Sequence, residues 1–348
     1  MKFTRTVLER AGKVRVETAC MPERIAEGDV RLRLASSGIC GTDMHYFRHF
    51  ANAGMRLDRP TTLGHEACAH VLDANGSQLS EGQLVAINPV IACGNCPNCR
   101  TGDINMCTGK RFPGSATTRP HIDGFFRDVF DFPARCCTAV EAGIDPDHLA
   151  MSEPLACAMH AVTRADVRQD DSVLVVGCGP MGLLATAAAV ARGAVVHAVD
   201  IREEAAETAR AAGAATVSAV TAVAGDRFTE RFDIVVEASG SPKAFNLALD
   251  AVCKQGRLAV LSLIQPAPVP IDLHRVALKE VTVIGSILFA REFEAAVEFI
   301  RCGTRDMDHL ISDRLPLDRA QAAFDAIASG RATGKVILKP SGWSPDTW

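Results

Sequence analysis

Four cysteines in the N-terminal half are spaced like the ligands of a single metal ion. Cys93, Cys96 and Cys99 form two successive C-x₂-C steps, and Cys107 follows after seven further residues. Four thiolates can close a tetrahedral site around Zn²⁺. A loop of reduced cysteines is the plain alternative. An iron–sulfur cluster is the chemical rival, although its fourth cysteine usually follows after about three residues and precedes proline. A closed four-thiolate site leaves no open position, so we predict a structural zinc.

A second group of metal-ligating residue types is split along the chain. Cys40 lies about two dozen residues before the pair His65 and Glu66. One thiolate, one imidazole and one carboxylate form the mixed, open ligand set that catalytic zinc uses. Glu153 is a further carboxylate that could reach the same ion. A single cysteine usually serves as a small core residue, but together with the other motifs this set favours a catalytic zinc.

A glycine-rich turn follows the apolar run 172–176 and precedes an alanine-rich run. Glycines there allow a tight turn and a close approach of a pyrophosphate to the free N–H groups of a helix N-terminus. Asp200 lies 23 positions beyond Gly177, where a carboxylate accepts from ribose hydroxyls and favours NAD. Arg202 is a guanidinium that could accept NADP instead, and glycine used only for packing is the plain alternative. The predicted cofactor-binding residues are Gly177, Gly179, Pro180, Met181, Gly182, Asp200 and Arg202.

Composition excludes several classes of protein. The chain has 348 residues, of which 48% are hydrophobic, so it can bury a full core. The 37 basic and 41 acidic residues give a net charge of −4 without a lysine–arginine run, which argues against a nucleic-acid partner or an anionic membrane surface. No apolar run reaches the roughly 18 residues of a membrane span. Thirteen cysteines and an N-terminus without an apolar signal region predict a cytoplasmic protein.

The pattern of the chain changes near residue 150. Residues 1–150 contain short β-rich runs, many glycines and prolines, and most of the histidines and cysteines, which is typical of a small antiparallel β-structure with functional loops. Residues 151–290 alternate apolar β-branched runs with alanine-rich helices, which predicts a parallel sheet covered on both faces. The predicted strands there are Ser172–Val176, Val195–Val199, Phe232–Glu237, Arg257–Leu263 and Val281–Ile287.

In their order along the chain, these motifs resemble the zinc-dependent medium-chain alcohol and polyol dehydrogenases. The resemblance extends from Gly38-Ile-Cys-Gly-Thr-Asp43 to Gly334-Lys-Val336. Within that superfamily, three segments are similar to the L-idonate 5-dehydrogenases, with the sorbitol and xylitol dehydrogenases as neighbours. These segments are residues 45–47, residues 85–89, and residues 111–116 together with 121–124.

The resemblance implies an α/β fold of two domains. A GroES-like, zinc-binding catalytic domain would span residues 1–150 and be completed by about 291–348, and a Rossmann domain with a doubly wound parallel sheet would span 151–290. It implies two zinc ions per chain, NAD or NADP as the cofactor, and a homodimer or homotetramer. The implied catalytic residues are Thr42 and His45 as a proton relay and Glu153, while Cys40, His65 and Glu66 hold the catalytic zinc and Cys93, Cys96, Cys99 and Cys107 the structural one.

The implied activity is reversible oxidation of a secondary alcohol of a sugar acid, in the manner of L-idonate to 5-keto-D-gluconate. A polyol dehydrogenase and a non-catalytic nucleotide-binding relative are the alternatives. Several positions depart from the family pattern, among them Ala69 and Phe125, which stand where the family has glycine. Two departures bear on the activity: Leu288 stands where relatives commonly have arginine, and Ala205 stands where arginine usually follows the ribose aspartate. A sugar-acid carboxylate needs a cation, for which the candidates are Arg48, Arg111 and Arg119.

Overall fold

The computed structural model describes residues 1–219, 228–264, 268–303 and 307–344. The chain divides into two compact units, the first formed by Met1–Glu153 with Phe293–Trp348 and the second by Pro154–Glu292.

In chain order the strands are β1 Lys2–Arg10, β2 Lys13–Cys20, β3 Asp29–Gly38, β4 Ala51–Asn52, β5 Met55–Arg56, β6 Glu66–Asp73, β7 Leu84–Ile87, β8 Val129–Pro133, β9 Cys137–Ala139, β10 Ser172–Val176, β11 Val195–Asp200, β12 Thr216–Ala219, β13 Phe232–Glu237, β14 Val252–Val260, β15 Thr282–Gly285, β16 Ile311–Pro316 and β17 Lys335–Lys339. The helices are α1 Gly41–His49, α2 Pro97–Thr101, α3 Pro146–Leu149, α4 Ser152–Arg164, α5 Pro180–Ala191, α6 Glu203–Ala211, α7 Pro242–Ala251, α8 Leu273–Leu278, α9 Phe293–Arg301 and α10 Ala320–Ala328.

The first unit is built on a mostly antiparallel sheet. Its strand order is β16-β17-β3-β6-β7-β9, and β8 pairs with β3. Strand β17 lies antiparallel against β3, so the C-terminal part of the chain completes this sheet. Alternating apolar residues of β3, β6 and β7 point into one core, which also contains the aromatic residues Tyr46, Phe125 and Phe126. This sheet brings residues that are far apart in sequence to one place.

The second unit is a parallel sheet between helices. Its order, β12-β11-β10-β13-β14-β15, is that of a doubly wound dinucleotide-binding fold. All five strand pairs are parallel, and continuous runs of valine and leucine fill both faces. The order reverses between β10 and β13, and ligands of such sheets bind at the carboxyl ends of the strands at that point. The predicted α/β class with a parallel sheet is confirmed.

Three strands of the second unit differ in their ends from the predicted ones. β11 extends one residue further, to Asp200, and the predicted strand Val281–Ile287 is the shorter β15, Thr282–Gly285. The predicted strand Arg257–Leu263 is β14, which begins at Val252 and ends at Val260. Val260 pairs with Gly285 at the end of β15, and the next two N–H groups donate to the Glu237 carbonyl, so the ladder stops there. No helix among the described residues is long and apolar enough to cross a bilayer.

One glycine is required by a close approach across the first sheet. Gly38, the last residue of β3, pairs with Glu66, the first residue of β6. A Cβ atom on Gly38 would lie 2.2 Å from Glu66 Oε2, well inside contact distance. Glycine at position 38 is therefore what admits the Glu66 carboxylate into the interior.

Candidate metal centres and dinucleotide cleft

The four-cysteine loop folds into one compact cluster of sulfurs. The ligand atoms of Cys93, Cys96, Cys99 and Cys107 all lie within 4.8 Å of one another. Cys96 caps helix α2, so its side chain accepts from the Cys99 N–H at 3.4 Å. The Sγ atoms of Cys93 and Cys99 are 3.9 Å apart. Sulfurs bound tetrahedrally at about 2.3 Å from zinc are separated by about 3.8 Å, so the cluster has the dimensions of a zinc site.

Backbone N–H groups donate hydrogen bonds to sulfurs of this cluster. The N–H groups of Cys99 and Thr108 point at the sulfur of Cys96 and lower the pKa of that thiol to about 6. The Cys93 N–H donates to Cys107 Sγ at 3.3 Å. Thiolate is the form that binds zinc, and the same donors stabilise it in the loop.

The second predicted group also converges. The ligand atoms of Cys40, His65 and Glu66 lie within 4.8 Å of one another, although the residues come from two chain segments. Cys40 is the N-cap of α1, where its sulfur accepts from the Thr42 N–H at 3.5 Å. His65 directly precedes β6, and Glu66 begins it. A helix N-terminus and a strand end thus place the three side chains together.

Asp43 is a buried carboxylate that contacts both Cys40 and His65 and helps to orient them. Its side chain is fully buried, and its two oxygens accept from the Cys40 N–H at 2.9 Å and the Gly64 N–H at 3.3 Å. Asp43 Oδ1 lies 3.7 Å from His65 Nδ1, which has no hydrogen-bond partner among the described residues. A carboxylate facing Nδ1 favours the tautomer that keeps its proton there, which leaves Nε2 free as a ligand.

Sequence reasoning missed the residue that pairs with Glu66. Lys335 Nζ donates to both carboxylate oxygens of Glu66, at 2.6 and 2.8 Å, and the two side chains are 3% and 0% exposed. Lys335 begins β17, so the pair joins positions 269 residues apart. The available signal was a strand whose three apolar residues are flanked by two lysines, positions where a buried charge needs a partner.

The electrostatics of this group favour an added cation. Burial opposes the charge on His65, but Asp43, Cys40 and Glu153 together raise its pKa well above the usual value. The pKa of Lys335 is likewise raised against burial by Glu66, Cys40 and Glu153. Glu153 itself is 4% exposed. A buried set of thiol, imidazole and carboxylate groups with this negative field fits the donor chemistry of a zinc ion.

The two predicted relay residues share helix α1 with the N-cap cysteine. Thr42 and His45 are three positions apart, so their side chains lie on the same face. Both are partly exposed. Burial, reinforced by the positive charges of Arg48 and His49, lowers the pKa of His45. The imidazole is therefore held in the neutral form that can accept a proton.

The glycine-rich turn lies at the carboxyl end of β10, as predicted. Gly179 is the N-cap of α5 and Pro180 its first residue, with Met181 next. A Cβ on Gly182 would lie 1.8 Å from the Gly177 carbonyl oxygen, so only glycine allows the helix to start this close to the strand. Cys178, between the glycines, donates its N–H to Asp200 Oδ2 at 2.8 Å.

A cavity of about 530 Å³ opens beside this turn in the second unit. Its volume is in the range of small-ligand and cofactor sites. Of the predicted cofactor-binding residues, Gly177, Gly179, Asp200 and Arg202 line it. The remaining lining residues are Val176, Val199, Ile201, Ala238, Ser239, Ser241, Lys243, Ala244 and Leu247.

A third cluster of potential ligands lies on the surface of the first unit. Asp145, His148 and Asp308 bring their polar atoms within 4.8 Å of one another. However, Arg314 donates to Asp308 Oδ1 at 2.8 Å, and His148 Nε2 lies 3.3 Å from the same oxygen. A guanidinium already compensates this carboxylate, so we interpret the cluster as a surface ion network.

Comparison with known proteins identifies the class. Residues 26–142 match the alcohol dehydrogenase GroES-like domain and residues 180–301 match the zinc-binding dehydrogenase family. The L-idonate 5-dehydrogenase (NAD(P)(+)) of Escherichia coli (strain K12) is 30% identical over 311 residues, covering 88% of this chain and 90% of the relative. The sorbitol dehydrogenase of Bacillus subtilis (strain 168) is 27% identical over 349 residues, covering 96% of both.

Solved structures agree with these relatives. The crystal structure of E. coli L-idonate 5-dehydrogenase matches with a TM-score of 0.93 and 28% identity, covering 97% of this chain and 98% of that one. A zinc-binding dehydrogenase from Sinorhizobium meliloti 1021, bound to NADP, matches with a TM-score of 0.86 and 27% identity, covering 98% and 100%. This chain therefore belongs to the zinc-binding alcohol dehydrogenase family. It is an oxidoreductase of the branch that contains polyol and sugar-acid dehydrogenases, and its cofactors are zinc and a nicotinamide dinucleotide.

Proposed function

We propose that this enzyme oxidises a secondary alcohol of a sugar acid to a ketone, as in the conversion of L-idonate to 5-keto-D-gluconate. The observation that carries the proposal is the convergence of Cys40, His65 and Glu66 beside a helix that bears Thr42 and His45. We assign the first three residues, with Glu153 as an additional carboxylate, to the catalytic zinc. The four cysteines between 93 and 107 are assigned to the structural zinc.

The residues of α1 supply the proton pathway. When bound, zinc would supply Lewis-acid polarisation of the substrate oxygen, and the nicotinamide would supply the hydride acceptor. Thr42 Oγ1 accepts the proton of the substrate hydroxyl and passes it on. His45, one helical turn further along and partly exposed, takes up the proton as a neutral imidazole and releases it to solvent. Asp43 and Lys335 hold His65 and Glu66 in place.

Arg48 is our candidate for the cation that receives the substrate carboxylate. It is exposed in the last turn of α1, three positions beyond His45, and its charge adds to the effect of burial in lowering the pKa of that imidazole. Arg119, by contrast, is 64% exposed, lies 3.7 Å from Asp58 and contacts the Arg56 carbonyl. Support for the sugar-acid substrate also comes from the similarity to L-idonate 5-dehydrogenase.

The test is a substrate panel measured with NAD and with NADP. Initial rates on L-idonate, D-gluconate, sorbitol, xylitol and galactitol are compared for the zinc-loaded enzyme and its Arg48→Met and Arg119→Met variants. We expect the wild-type enzyme to have its highest kcat/KM on L-idonate. Of the two variants, only Arg48→Met should show a raised KM for L-idonate, and its KM for sorbitol should stay unchanged. Equal losses on acid and polyol would contradict the role of Arg48.

A polyol dehydrogenase is the second candidate, and one residue favours it. Leu288 occupies the position where relatives commonly carry arginine, so one expected cation is missing. Its backbone has a φ of 52°, an unusual conformation for a residue with a Cβ, and such residues are found disproportionately at functional sites. Preference for neutral polyols across the panel would support this candidate and overturn the sugar-acid proposal.

We also propose that two chains associate through the edge of the parallel sheet. β15 is the edge strand, and Val283 on it is 43% exposed. Leu273 and Leu278 of α8, just before it, are 70% and 81% exposed. An open edge with apolar side chains is suited to pairing across a two-fold axis, giving a homodimer or a homotetramer. Light scattering of Val283→Lys, expected to be monomeric, against the wild-type chain tests this.

We place the enzyme in the cytoplasm. None of the thirteen cysteines forms a disulfide, and eight of them lie outside the two assigned zinc sites, as expected of a protein kept in a reducing compartment. Cell fractionation with antibody detection tests this, and enrichment in an exported fraction would contradict it.

A further inference from the structure

The dinucleotide cavity of the second unit carries charges from two different elements. Asp200 ends β11, Arg202 is the N-cap of α6 two residues further on, and Lys243 lies in the first turn of α7, after β13. All three residues line the cavity. In this fold the residue closing the second strand faces the adenosine ribose of the cofactor. The inference below rests on the proposed assignment of this cavity to the cofactor.

Asp200 is largely compensated by its own surroundings. Its side chain is 10% exposed, Oδ2 accepts from the Cys178 N–H at 2.8 Å, and Oδ1 accepts from the Arg202 N–H at 2.9 Å. The Arg202 guanidinium lies 3.6 Å from Oδ1 as well. An unpaired carboxylate would repel a second anion at the ribose, but this one has a cation and two donors on it.

Lys243 adds a second cation, and nothing described in the structure pairs with it. The residue is exposed, and among the described residues no ion pair or side-chain hydrogen bond engages its ammonium group. A lysine in the first turn of a helix is disfavoured by the helix dipole, which prefers an anion there. Ala205 leaves no basic side chain at the position where the family's arginine usually stands, so Arg202 and Lys243 are the only cations among the described residues lining the cavity.

We infer that Lys243, acting with Arg202, binds the 2′-phosphate on the adenosine ribose of NADP, so that this enzyme uses NADP as well as NAD. Two cations against one compensated carboxylate leave a net positive charge on the cavity wall, which suits a phosphate dianion. Asp200 retains lone pairs for the ribose hydroxyls of NAD. Lys243 is thus a residue that determines cofactor specificity, and it comes from an element other than the one with the ribose aspartate.

The test measures binding without turnover. The zinc-loaded enzyme is titrated calorimetrically with adenosine 2′,5′-bisphosphate and with 5′-AMP, which differ only in the 2′-phosphate. We expect wild-type enzyme to bind the bisphosphate at least as tightly as AMP. Lys243→Met is expected to raise the Kd of the bisphosphate about tenfold, because one charge-assisted contact is lost, and to leave the Kd of 5′-AMP unchanged. Lys243→Arg should restore binding, and the control Lys254→Met, an exposed lysine outside the cavity, should change neither ligand.

The outcomes separate this inference from the proposed function. If Lys243→Met weakens the binding of neither ligand, or weakens the binding of both equally, Lys243 does not recognise the 2′-phosphate and the inference is wrong. If wild-type enzyme binds AMP but rejects the bisphosphate, the inference is also wrong while the cofactor site stands. If wild-type enzyme binds neither ligand, the assignment of the cavity itself fails. The ratio of kcat/KM for NADP to that for NAD should follow the binding data across the four proteins.

Discussion

The two proposed zinc sites are held together in opposite ways. The four sulfurs of the Cys93–Cys107 loop come from fifteen consecutive residues, and local backbone N–H groups stabilise them. The Cys40–His65–Glu66 group instead depends on a helix cap, a strand start and a lysine from the far end of the chain. The first site is built within one short loop, whereas the second is built by buried charges from distant parts of the fold. Removing the metal and removing Lys335, the partner of Glu66, should therefore affect the two sites differently.

The largest expected effect is on turnover. Cys40→Ser should lower kcat by about three orders of magnitude, because the zinc ligand set loses its only thiolate. Elemental analysis should show that zinc falls from two ions to one per chain while circular dichroism stays unchanged. Cys20→Ser, at an exposed thiol, is the matched control and should keep full activity. Activity retained in metal-verified Cys40→Ser enzyme would refute the catalytic assignment.

The next effect concerns the buried ion pair. Lys335→Met should lower the free energy of unfolding by about 3 kcal/mol, because it leaves the Glu66 carboxylate buried without its partner. Urea unfolding of zinc-free protein measures this directly. The double variant Lys335→Met with Glu66→Gln should recover much of the loss, since no buried charge remains. A double variant as unstable as the single one would mean that packing, not charge, holds the site.

The sulfur loop should respond chiefly to metal. Cys96→Ser should remove the second zinc and lower the free energy of unfolding by about 2.7 kcal/mol, the stabilisation given by a ligand at about a hundred times its Kd. Because the loop is locally encoded, zinc-free wild-type and zinc-free Cys96→Ser protein should unfold alike. Thermal unfolding with and without chelator provides the measurement. A difference between the two zinc-free proteins would show that the loop is also held by contacts other than metal.

The smallest effect is expected on the pH profile. The pKa of His45 is lowered below its ordinary 6.5 by burial and by Arg48 and His49, so the proton-accepting form persists below that pH. The acid limb of kcat/KM for alcohol oxidation should therefore lie below pH 6.5. His45→Gln should lower kcat/KM about tenfold and remove this limb, whereas an unchanged limb would assign it to another group.

Local patterns in the sequence predicted much of this molecule. The C-x₂-C steps and the glycine-rich turn are spacings over a few residues, and the structure places both as compact loops. Phe293, Val297 and Ile300 have the spacing of one helical face, and the structure buries all three on α9. The parallel sheet followed from alternating apolar runs and helices, although the start of β14 did not, because Val252 to Gln255 contain polar residues that side-chain periodicity alone does not assign to a strand.

Contacts between segments far apart in the sequence could not be predicted from local sequence patterns. Nothing within a few residues of Lys335 indicates that its ammonium meets Glu66, because strand pairing across 269 positions brings them together. The same holds for Asp43, whose burial behind His65 depends on α1 packing against the loop that ends at Gly64. Lys243 was not singled out either, since its place in the cavity depends on the order in which the parallel strands lie side by side.

The contact between Gly38 and Glu66 constrains how this site can be altered. Because a Cβ at position 38 would occupy the space of the Glu66 carboxylate, a larger residue there would force that carboxylate to move away from its present place beside Lys335. The reverse does not hold: a shorter side chain at 66 would leave room for alanine at 38. Mutational libraries that change one position at a time would therefore find position 38 intolerant, while libraries that vary both together would recover folded chains with a remodelled ligand set.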